Sequence, residues 1–477
     1  MTLCPLIVDL DETLINTDML HESTLRVLRD SPWNLFQIPF WLSNGKAKLK
    51  QNLSQLVDFD PKLLPYNIEL LKWLKQEKAK GRQLILCTAS DQSIALIIAE
   101  YLGIFDDVMA SDGVINLEGK HKAQALKERF GENKFDYVGN SNADLKVWNY
   151  ANNAIVVNAK NSLIKKVQVI CNITQIFPPK TKSINVWRRV LRVHQWLKNL
   201  LLFVPMLAAH QLLDIHSWQV LAFAFFSFSL CASSVYIAND LLDLDSDRQH
   251  PRKRNRPFAA GLVPAWMGVV LAPILFILSL GLGFLVNTSF LFWLVFYFIL
   301  TCTYSWWLKR LIIIDCLTLA LLYTLRIVAG AAAAGNILSF WLLAFSIFIF
   351  LSLAFVKRYA ELELQLLSGK EKVHGRGYYT SDAPLIQNLG ITSGYSSVVV
   401  LAFYLNSDAV INLYRTPEFI WGAVPIMLFW VSRMWMQAHR GKMNDDPLVF
   451  AVKDKASLLA GVALCVVLGI GTVGWPW

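Results

Sequence analysis

The sequence predicts two folds in one chain: an N-terminal α/β unit, then an all-α polytopic membrane bundle of about nine transmembrane helices. Three observations predict it. Short apolar runs at 6–10, 83–88, 135–138 and 154–158 alternate with helical patterns such as 66–80 and 122–130, as in a mostly parallel sheet. After Trp196 the chain is mostly apolar stretches of bilayer length. With 55% hydrophobic and 17% charged residues over 477 positions, and a mean hydropathy of +0.41, it is too apolar to be soluble throughout.

The first strand runs into Asp9-Leu10-Asp11-Glu12-Thr13-Leu14, which puts two carboxylates at the carboxyl edge of a sheet, where α/β proteins place their chemistry. Residues 21–60 interrupt the alternation and read as a small helical cap. Pro5 and Asp9 break the first apolar stretch and no cleavage site follows, so no signal peptide is expected. The seven cysteines are scattered without a CxxC pair, which suits reduced, structural thiols.

Four motifs follow in order. They are the Asp-x-Asp-x-Thr at 9–13, Thr88 after Leu84-Ile85-Leu86-Cys87, Gly119-Lys120-His121-Lys122-Ala123, and Gly139-Asn140-Ser141-Asn142-Ala143-Asp144. Over residues 1–160 they resemble the haloacid dehalogenase-like (HAD) hydrolase superfamily, whose core is a Rossmann-like sheet. The resemblance implies a nucleophile at Asp9, a general acid/base at Asp11 and a phosphoryl-binding hydroxyl at Thr88. It implies a charge-neutralising lysine at Lys122, with Lys120 the alternative, and Mg²⁺ held by Asp9, Asp11 and Asp144. The chemistry is coherent: a carboxylate attacks phosphorus while cations shield the repelling charges. Asn140 departs from the family's usual Asp, which lowers the expected metal affinity. A degenerate domain that only binds or stabilises is the alternative reading.

The expected division is 1–165 for this domain, 166–185 for a linker and 186–477 for the membrane domain. Pro178-Pro179-Lys180-Thr181-Lys182-Ser183 marks the linker. Residues 186–198 mix Arg188, Arg189, Arg192 and Lys198 with Trp187 and Trp196, as in a basic amphipathic helix at a membrane surface. Spans are expected at 199–212, 217–239, 266–286, 289–307, 314–334, 339–357, 391–411, 417–437 and 457–475. Lys and Arg gather in alternate loops, including 248–256, 357–376 and 440–455. The positive-inside rule then puts the N-terminal domain in the cytosol of a bacterial-type inner or plasma membrane, with Gly474-Trp475-Pro476-Trp477 outside. The same loops account for the net charge of +10, so no nucleic-acid partner is expected.

Where the span at 217–239 ends stands Asn239-Asp240-Leu241-Leu242-Asp243-Leu244-Asp245-Ser246-Asp247-Arg248. Asp240, Asp243 and Asp247 are spaced i, i+3, i+7 and share a helix face, while Asp245 points elsewhere. Carboxylates so placed repel unless a cation holds them, and Mg²⁺ is the usual hard-oxygen partner. The cationic run His250-Pro251-Arg252-Lys253-Arg254-Asn255-Arg256-Pro257 follows directly. Acids for Mg²⁺ beside bases for phosphate make a diphosphate site. The bland alternative is a charged loop that obeys topology rules, but such loops need bases, not a patterned row of acids. Arg326, inside a span, needs an anionic partner, either a phosphate or one of the Asp residues.

From 185 to 475 the chain resembles the UbiA prenyltransferase superfamily. Within it, the branch of decaprenyl-phosphate phosphoribosyltransferases fits best, on the Asp-rich block with its basic run, Arg326-x-x-Ala329-Gly330, and Lys357-Arg358-Tyr359-Ala360-Glu361-Leu362. The aromatic-prenylating branch usually carries a second row of acids, and here only Asp315 stands in that place. The resemblance implies that phosphoribosyl pyrophosphate is bound through Mg²⁺ by Asn239, Asp240, Asp243 and Asp247. The phosphate of a polyprenyl phosphate then attacks the anomeric carbon. Arg248, Lys253, Arg254 and Arg256, with Lys198, Lys309, Asp315, Arg326, Lys357 and Arg358, are the candidate substrate-binding residues. The HAD-like domain would remove the 5-phosphate afterwards. Two rivals stand beside this reading: prenyl transfer from a prenyl diphosphate to an aromatic acceptor, with the HAD-like domain acting on another phosphoester, and a transporter or scaffold with a regulatory soluble domain.

Overall fold

In a computed structural model, the structure describes residues 4–179, 183–367, 369, 371, 376–411, 414–443 and 446–474. The chain divides into two compact units, one of residues 1–191 with 236–272, the other of 192–235 with 273–477.

The first unit holds a six-stranded parallel sheet: β1 (Leu6–Val8), β2 (Leu84–Asp91), β3 (Asp107–Ser111), β4 (Asp136–Gly139), β5 (Asn153–Val157) and β6 (Asn172–Phe177), in the order β3-β2-β1-β4-β5-β6. Alternation along the strands builds two cores. Leu6, Val8, Leu84, Leu86, Val138 and Ile155 face one layer, and Ile7, Ile85, Cys87, Tyr137, Ala154 and Val156 face the other. Both faces are covered, so the central strands read as unbroken apolar runs. The edge strands β3 and β6 are half exposed and rich in polar residues. That is why they escape the apolar-run criterion, and why 172–177, inside the expected linker of 166–185, is instead the sixth strand. Strand order reverses at β1, so the residues after it open into the crevice of a topological switch point.

The cap is helical, as expected. Helix Met19–Asp30 starts at Asp18, whose carboxylate accepts from the Leu20 and His21 N–H groups. Helices Ile38–Ser43 and Lys46–Gln55 close a small core of Val27, Trp41, Leu49 and Leu53 over it. The same unit includes the end of helix Ile215–Leu242, the short helix Leu244–Gln249 and the loop to helix Ala265–Val286. The linker positions Lys180, Thr181 and Lys182 and the tail positions 475–477 lie outside the described residues.

Eight helices among the described residues are long and apolar enough to cross a membrane: Ile215–Leu242, Ala265–Val286, Thr288–Trp306, Ile314–Ala334, Phe340–Leu367, Thr380–Leu405, Pro417–His439 and Lys455–Val473. The protein is an integral membrane protein. The expected first span, 199–212, is instead a 3₁₀ stretch, Val193–Phe203, followed by the short helix Val204–Ala208. Pro205 explains the interruption. Its nitrogen has no hydrogen and its ring would collide with the carbonyl four residues back, so it favours a helix start there and disfavours a continuous helix. The amphipathic helix is shorter than expected for a related reason: it covers Ile184–Val190, and Arg192 takes a left-handed φ of 49°.

Candidate active sites

Asp9 follows β1, and its N–H donates to the Val138 carbonyl of β4 at 3.1 Å. The Lys122 ammonium lies 2.6 Å from its carboxylate. Asp11 accepts from Ser90 at 2.7 Å, from Thr88 at 3.2 Å and from the Met19 N–H at 2.8 Å. So Asp9, Asp11, Thr88 and Lys122, distant in sequence, stand together at the sheet's carboxyl edge. Burial pushes the Asp9 carboxyl up to about 7, with Asp144 and Asp11 pushing the same way and Lys122 pulling against them. Burial, with Asp18, also lifts Asp11 to about 6, suited to holding and releasing a proton near neutrality. Lys120 begins helix Lys120–Phe130, whereas Lys122 is buried on it and reaches Asp9.

Asp144 behaves differently from Asp9. One of its oxygens accepts from the Asn140 and Ser141 N–H groups and the Ser141 hydroxyl, the other from Tyr137. Both oxygens are therefore engaged in shaping the loop. Asp9, Asp11 and the amide oxygen of Asn140 are further oxygen donors in these motifs.

The Asp-rich stretch does not form one continuous helix. Helix Ile215–Leu242 ends and Asp243 caps Leu244–Gln249. The i to i+4 bonds persist on either side, from the Asp243 N–H to Asn239 at 2.9 Å and from the Asp247 N–H to Asp243 at 2.8 Å. The face is preserved as a result. Asp240 and Asp247 converge on one guanidinium nitrogen of Arg256, at 3.1 and 2.6 Å. Two buried carboxylates aimed at one cationic point could supply two oxygen ligands to a hard divalent cation; among the described residues no group of three or more Asp, Glu, His or Cys is placed to hold a metal ion. Burial raises the Asp247 pKa while Arg256 draws it back. Asp245 points away to Arg26 at 2.7 Å and Arg29 at 3.0 Å. Arg248 turns to Glu22, at 2.6 and 3.1 Å, and to the Ala259 carbonyl at 3.1 Å. Lys253 and Arg254 lie exposed on a 3₁₀ turn.

In the second unit three clusters stand out. Lys198 and Lys357 meet Asp446, at 2.6 and 3.7 Å, and the Tyr323 hydroxyl reaches the same carboxylate at 3.2 Å. Burial opposes its charge, yet Lys198 and Lys357 hold the Asp446 carboxyl well below the usual range. Nothing in the sequence marked Asp446, because it follows a loop notable only for its bases. Asp315, fully buried, is held by Arg358 at 2.6 Å, Tyr378 at 2.6 Å and Arg376 at 3.3 Å. Arg358 also pairs with Glu361. The described partners of Arg326 are uncharged: Asn199 at 2.9 Å, Tyr297 at 3.0 Å and the Leu322 carbonyl. The rings of Phe228, Tyr297 and Tyr323 surround it at 4.9–5.6 Å. Gly330, one turn on, is required because a Cβ there would stand 2.0 Å from the Leu202 carbonyl oxygen. Lys309 sits on the 3₁₀ turn Leu308–Arg310.

A six-stranded parallel sheet in the first unit and eight helices of membrane-spanning length define a membrane protein with an N-terminal α/β domain. Residues 200–370 match the model of the UbiA prenyltransferase family. An uncharacterized protein, y4nM, of Sinorhizobium fredii is 36% identical over 96% of this chain and 89% of its own length. A decaprenyl-phosphate phosphoribosyltransferase of Mycobacterium tuberculosis is 34% identical over 59% of this chain and 92% of its own. A solved UbiA homolog from Archaeoglobus fulgidus, bound to GPP and Mg²⁺, is 16% identical and covers 60% of this chain and 99% of its own, with a TM-score of 0.45. The chain belongs to the UbiA prenyltransferase family and is an enzyme.

Proposed function

We propose that the protein transfers 5-phosphoribose from phosphoribosyl pyrophosphate to a polyprenyl phosphate, and that its HAD-like domain removes the 5-phosphate. The observation that carries this reading is the convergence of Asp240 and Asp247 on a single cationic point. The relatives named for decaprenyl-phosphate phosphoribosyl transfer support the choice of substrates.

Asp240 and Asp247, with Asp243 and Asn239, would hold Mg²⁺, which when bound neutralises diphosphate charge. Arg256 would hand its charge to the diphosphate as the donor binds. Lys253, Arg254 and Lys309 attract the anionic substrates. Lys198, Lys357 and Arg326 receive the lipid phosphate and the sugar 5-phosphate, while Asp315 and Arg358 hold the segment of Arg376 and Tyr378 in place. A phosphate oxygen of the lipid forms the bond to the anomeric carbon, the bond to the diphosphate breaks, and pyrophosphate leaves.

In the HAD-like domain an Asp9 oxygen attacks phosphorus and the bond to the sugar's 5-oxygen breaks. Asp11 gives that oxygen its proton, then takes one from the water that splits the aspartyl-phosphate. Thr88 and Lys122 bind the phosphoryl oxygens. Mg²⁺ there would rest on Asp9, Asp11 and Asn140, with Asp144 shaping the loop. Tethering raises the local concentration of the second site to roughly millimolar. The basic loops favour an N-terminal domain in the cytosol and a C-terminus outside.

Mass spectrometry of the lipid formed with Mg²⁺, polyprenyl phosphate and either phosphoribosyl pyrophosphate or a prenyl diphosphate tests the donor. The expected product is a polyprenyl-phosphoryl ribose, and Asp9→Asn is expected to leave it phosphorylated. Turnover of the prenyl diphosphate alone would overturn the proposal.

A further inference from the structure

A cavity of about 360 Å³ opens at the carboxyl edge of the sheet. Asn140 and Ser141 of the loop after β4 form one wall, and Asn158 and Ser162 after β5 form a second. Leu262 and Pro264, downstream of the Asp-rich motif and its basic run, form the third. A loop of the transferase motif thus completes a cavity that begins at the hydrolase motifs.

The backbone is held in costly conformations to make it. Glu12 and Asn158 line the cavity with left-handed φ values of 55° and 51°. Such residues persist where the surroundings over-determine them, and they cluster at ligand sites. Here the Asn158 amide donates to the Glu12 carbonyl at 3.0 Å and locks the two together. Gly261 (φ 66°) brings the third wall so close that a Cβ would lie 2.5 Å from the Asn16 carbonyl oxygen.

The lining identifies the ligand class. Amides and hydroxyls dominate two walls and apolar side chains the third, while Glu12 and Lys160 supply one charge of each sign. The side chains of Lys160 and Ser162 take part in none of the described hydrogen bonds or ion pairs, so both are available as donors. A ring with several hydroxyls on one side and C–H groups on the other fits such walls, and the volume suits a small molecule. We propose that this cavity is the subsite for the sugar of the HAD-like domain's substrate, a pentose phosphoester still carried on lipid. The loop at 261–264 then borders the sugar of the bound phosphoester. The inference rests on the phosphatase reading above.

The full-length enzyme in nanodiscs, given phosphoribosyl pyrophosphate and polyprenyl phosphate, tests it. Wild type, Asp9→Asn, Leu262→Trp and Ser162→Trp are compared for the phosphorylated lipid product and for hydrolysis of p-nitrophenyl phosphate. The two tryptophan variants fill the cavity from opposite walls. They are expected to accumulate the phosphorylated lipid and to slow its hydrolysis about tenfold or more, while hydrolysing the small aryl phosphate at the wild-type rate. Equal loss on both substrates, or no loss on the lipid product, overturns the subsite. Absence of phosphorylated lipid with Asp9→Asn would instead overturn the phosphatase reading. In that event calorimetry with ribose 5-phosphate still reads the cavity: binding to wild type that Ser162→Trp abolishes supports the subsite, and no binding to wild type overturns it.

Discussion

Glu22 and Arg248 close a two-point ion pair at 2.6 and 3.1 Å, with both side chains buried. Glu22 lies on the first cap helix and Arg248 on the helix that ends the Asp-rich motif, so this pair ties cap to motif. Arg26 adds a second tie through Asp245 at 2.7 Å. Removing one partner of a buried pair leaves an uncompensated charge, at a cost of about 3–5 kcal/mol. Glu22→Ala is therefore expected to lower the melting temperature and the proposed transfer activity together, although Glu22 lies on the cap of the N-terminal domain. The charge-swapped double variant Glu22→Arg/Arg248→Glu should recover part of both. A thermal-shift series with lipid-product analysis checks it, and full transfer activity in Glu22→Ala would sink the coupling.

The same pair sets a pH dependence. Burial opposes the Glu22 charge, but Arg248, Arg26 and the Thr17 hydroxyl overcome it and depress the pKa. A carboxylate whose folded pKa lies below its unfolded value stabilises at pH above that unfolded value, roughly 4.3. The contribution is lost as pH falls through the folded value. Wild type should thus lose stability below about pH 4 more steeply than Glu22→Gln, which has no proton to take up at this position. Parallel melting curves from pH 6 to 3 would show it, and identical slopes would refute it.

Arg256 occupies the point on which Asp240 and Asp247 converge. It competes there with any divalent cation, and it is also a natural partner for diphosphate. Arg256→Ala is expected to lower the Mg²⁺ concentration needed for half-maximal activity and to raise the KM for the diphosphate donor about tenfold. Opposite movement of the two constants is the distinguishing result. If both worsen together, Arg256 serves only to hold the loop.

The parts of this architecture that were legible were those where one residue type has one physical use. Continuous apolar runs gave the central strands, because both sheet faces are covered. Asp9, Thr88 and Lys122 stand out in the sequence as motif residues, and the fold brings them near one another because Asp9 follows β1, Thr88 lies within β2 and Lys122 lies in the first turn of helix Lys120–Phe130. Edge strands β3 and β6 were not readable, since half-exposed strands carry mixed side chains. Nor was the break at 193–208, where hydropathy says span and Pro205 says stop. Asp446 was invisible for another reason: its importance comes from Lys198 and Lys357, which are remote in sequence and brought to it only by folding.

Asn140 stands beside a motif whose acid, Asp144, has both oxygens engaged in hydrogen bonds. Asn140→Asp would add a hard anionic donor without removing the backbone N–H that Asp144 holds. The expected outcome is a lower Mg²⁺ requirement for phosphate release, by about tenfold, with transfer unchanged. Release of inorganic phosphate across a Mg²⁺ titration reads it. An unchanged midpoint would place the cation away from position 140.

Arg326 offers the cleanest separation of function from stability. It lies within an apolar helix, almost wholly buried, and its described partners are an amide, a phenol, a carbonyl and three aromatic rings. None of them carries the opposite charge, so among the described residues no salt bridge offsets the desolvation of this guanidinium. Replacing such a cation by an apolar side chain of similar length is often neutral or stabilising. Arg326→Met should therefore melt no lower than wild type. If the site exists to receive a phosphate, the same variant should lose transfer about a hundredfold. Arg326→Lys should fall between, because an ammonium keeps the charge but not the planar fork that Asn199 and Tyr297 now orient. Product formation measured against melting temperature for the three proteins decides the matter. A stable and fully active Arg326→Met would mean that the buried charge meets no substrate, and the lipid phosphate would then have to be held by Lys198 and Lys357 alone.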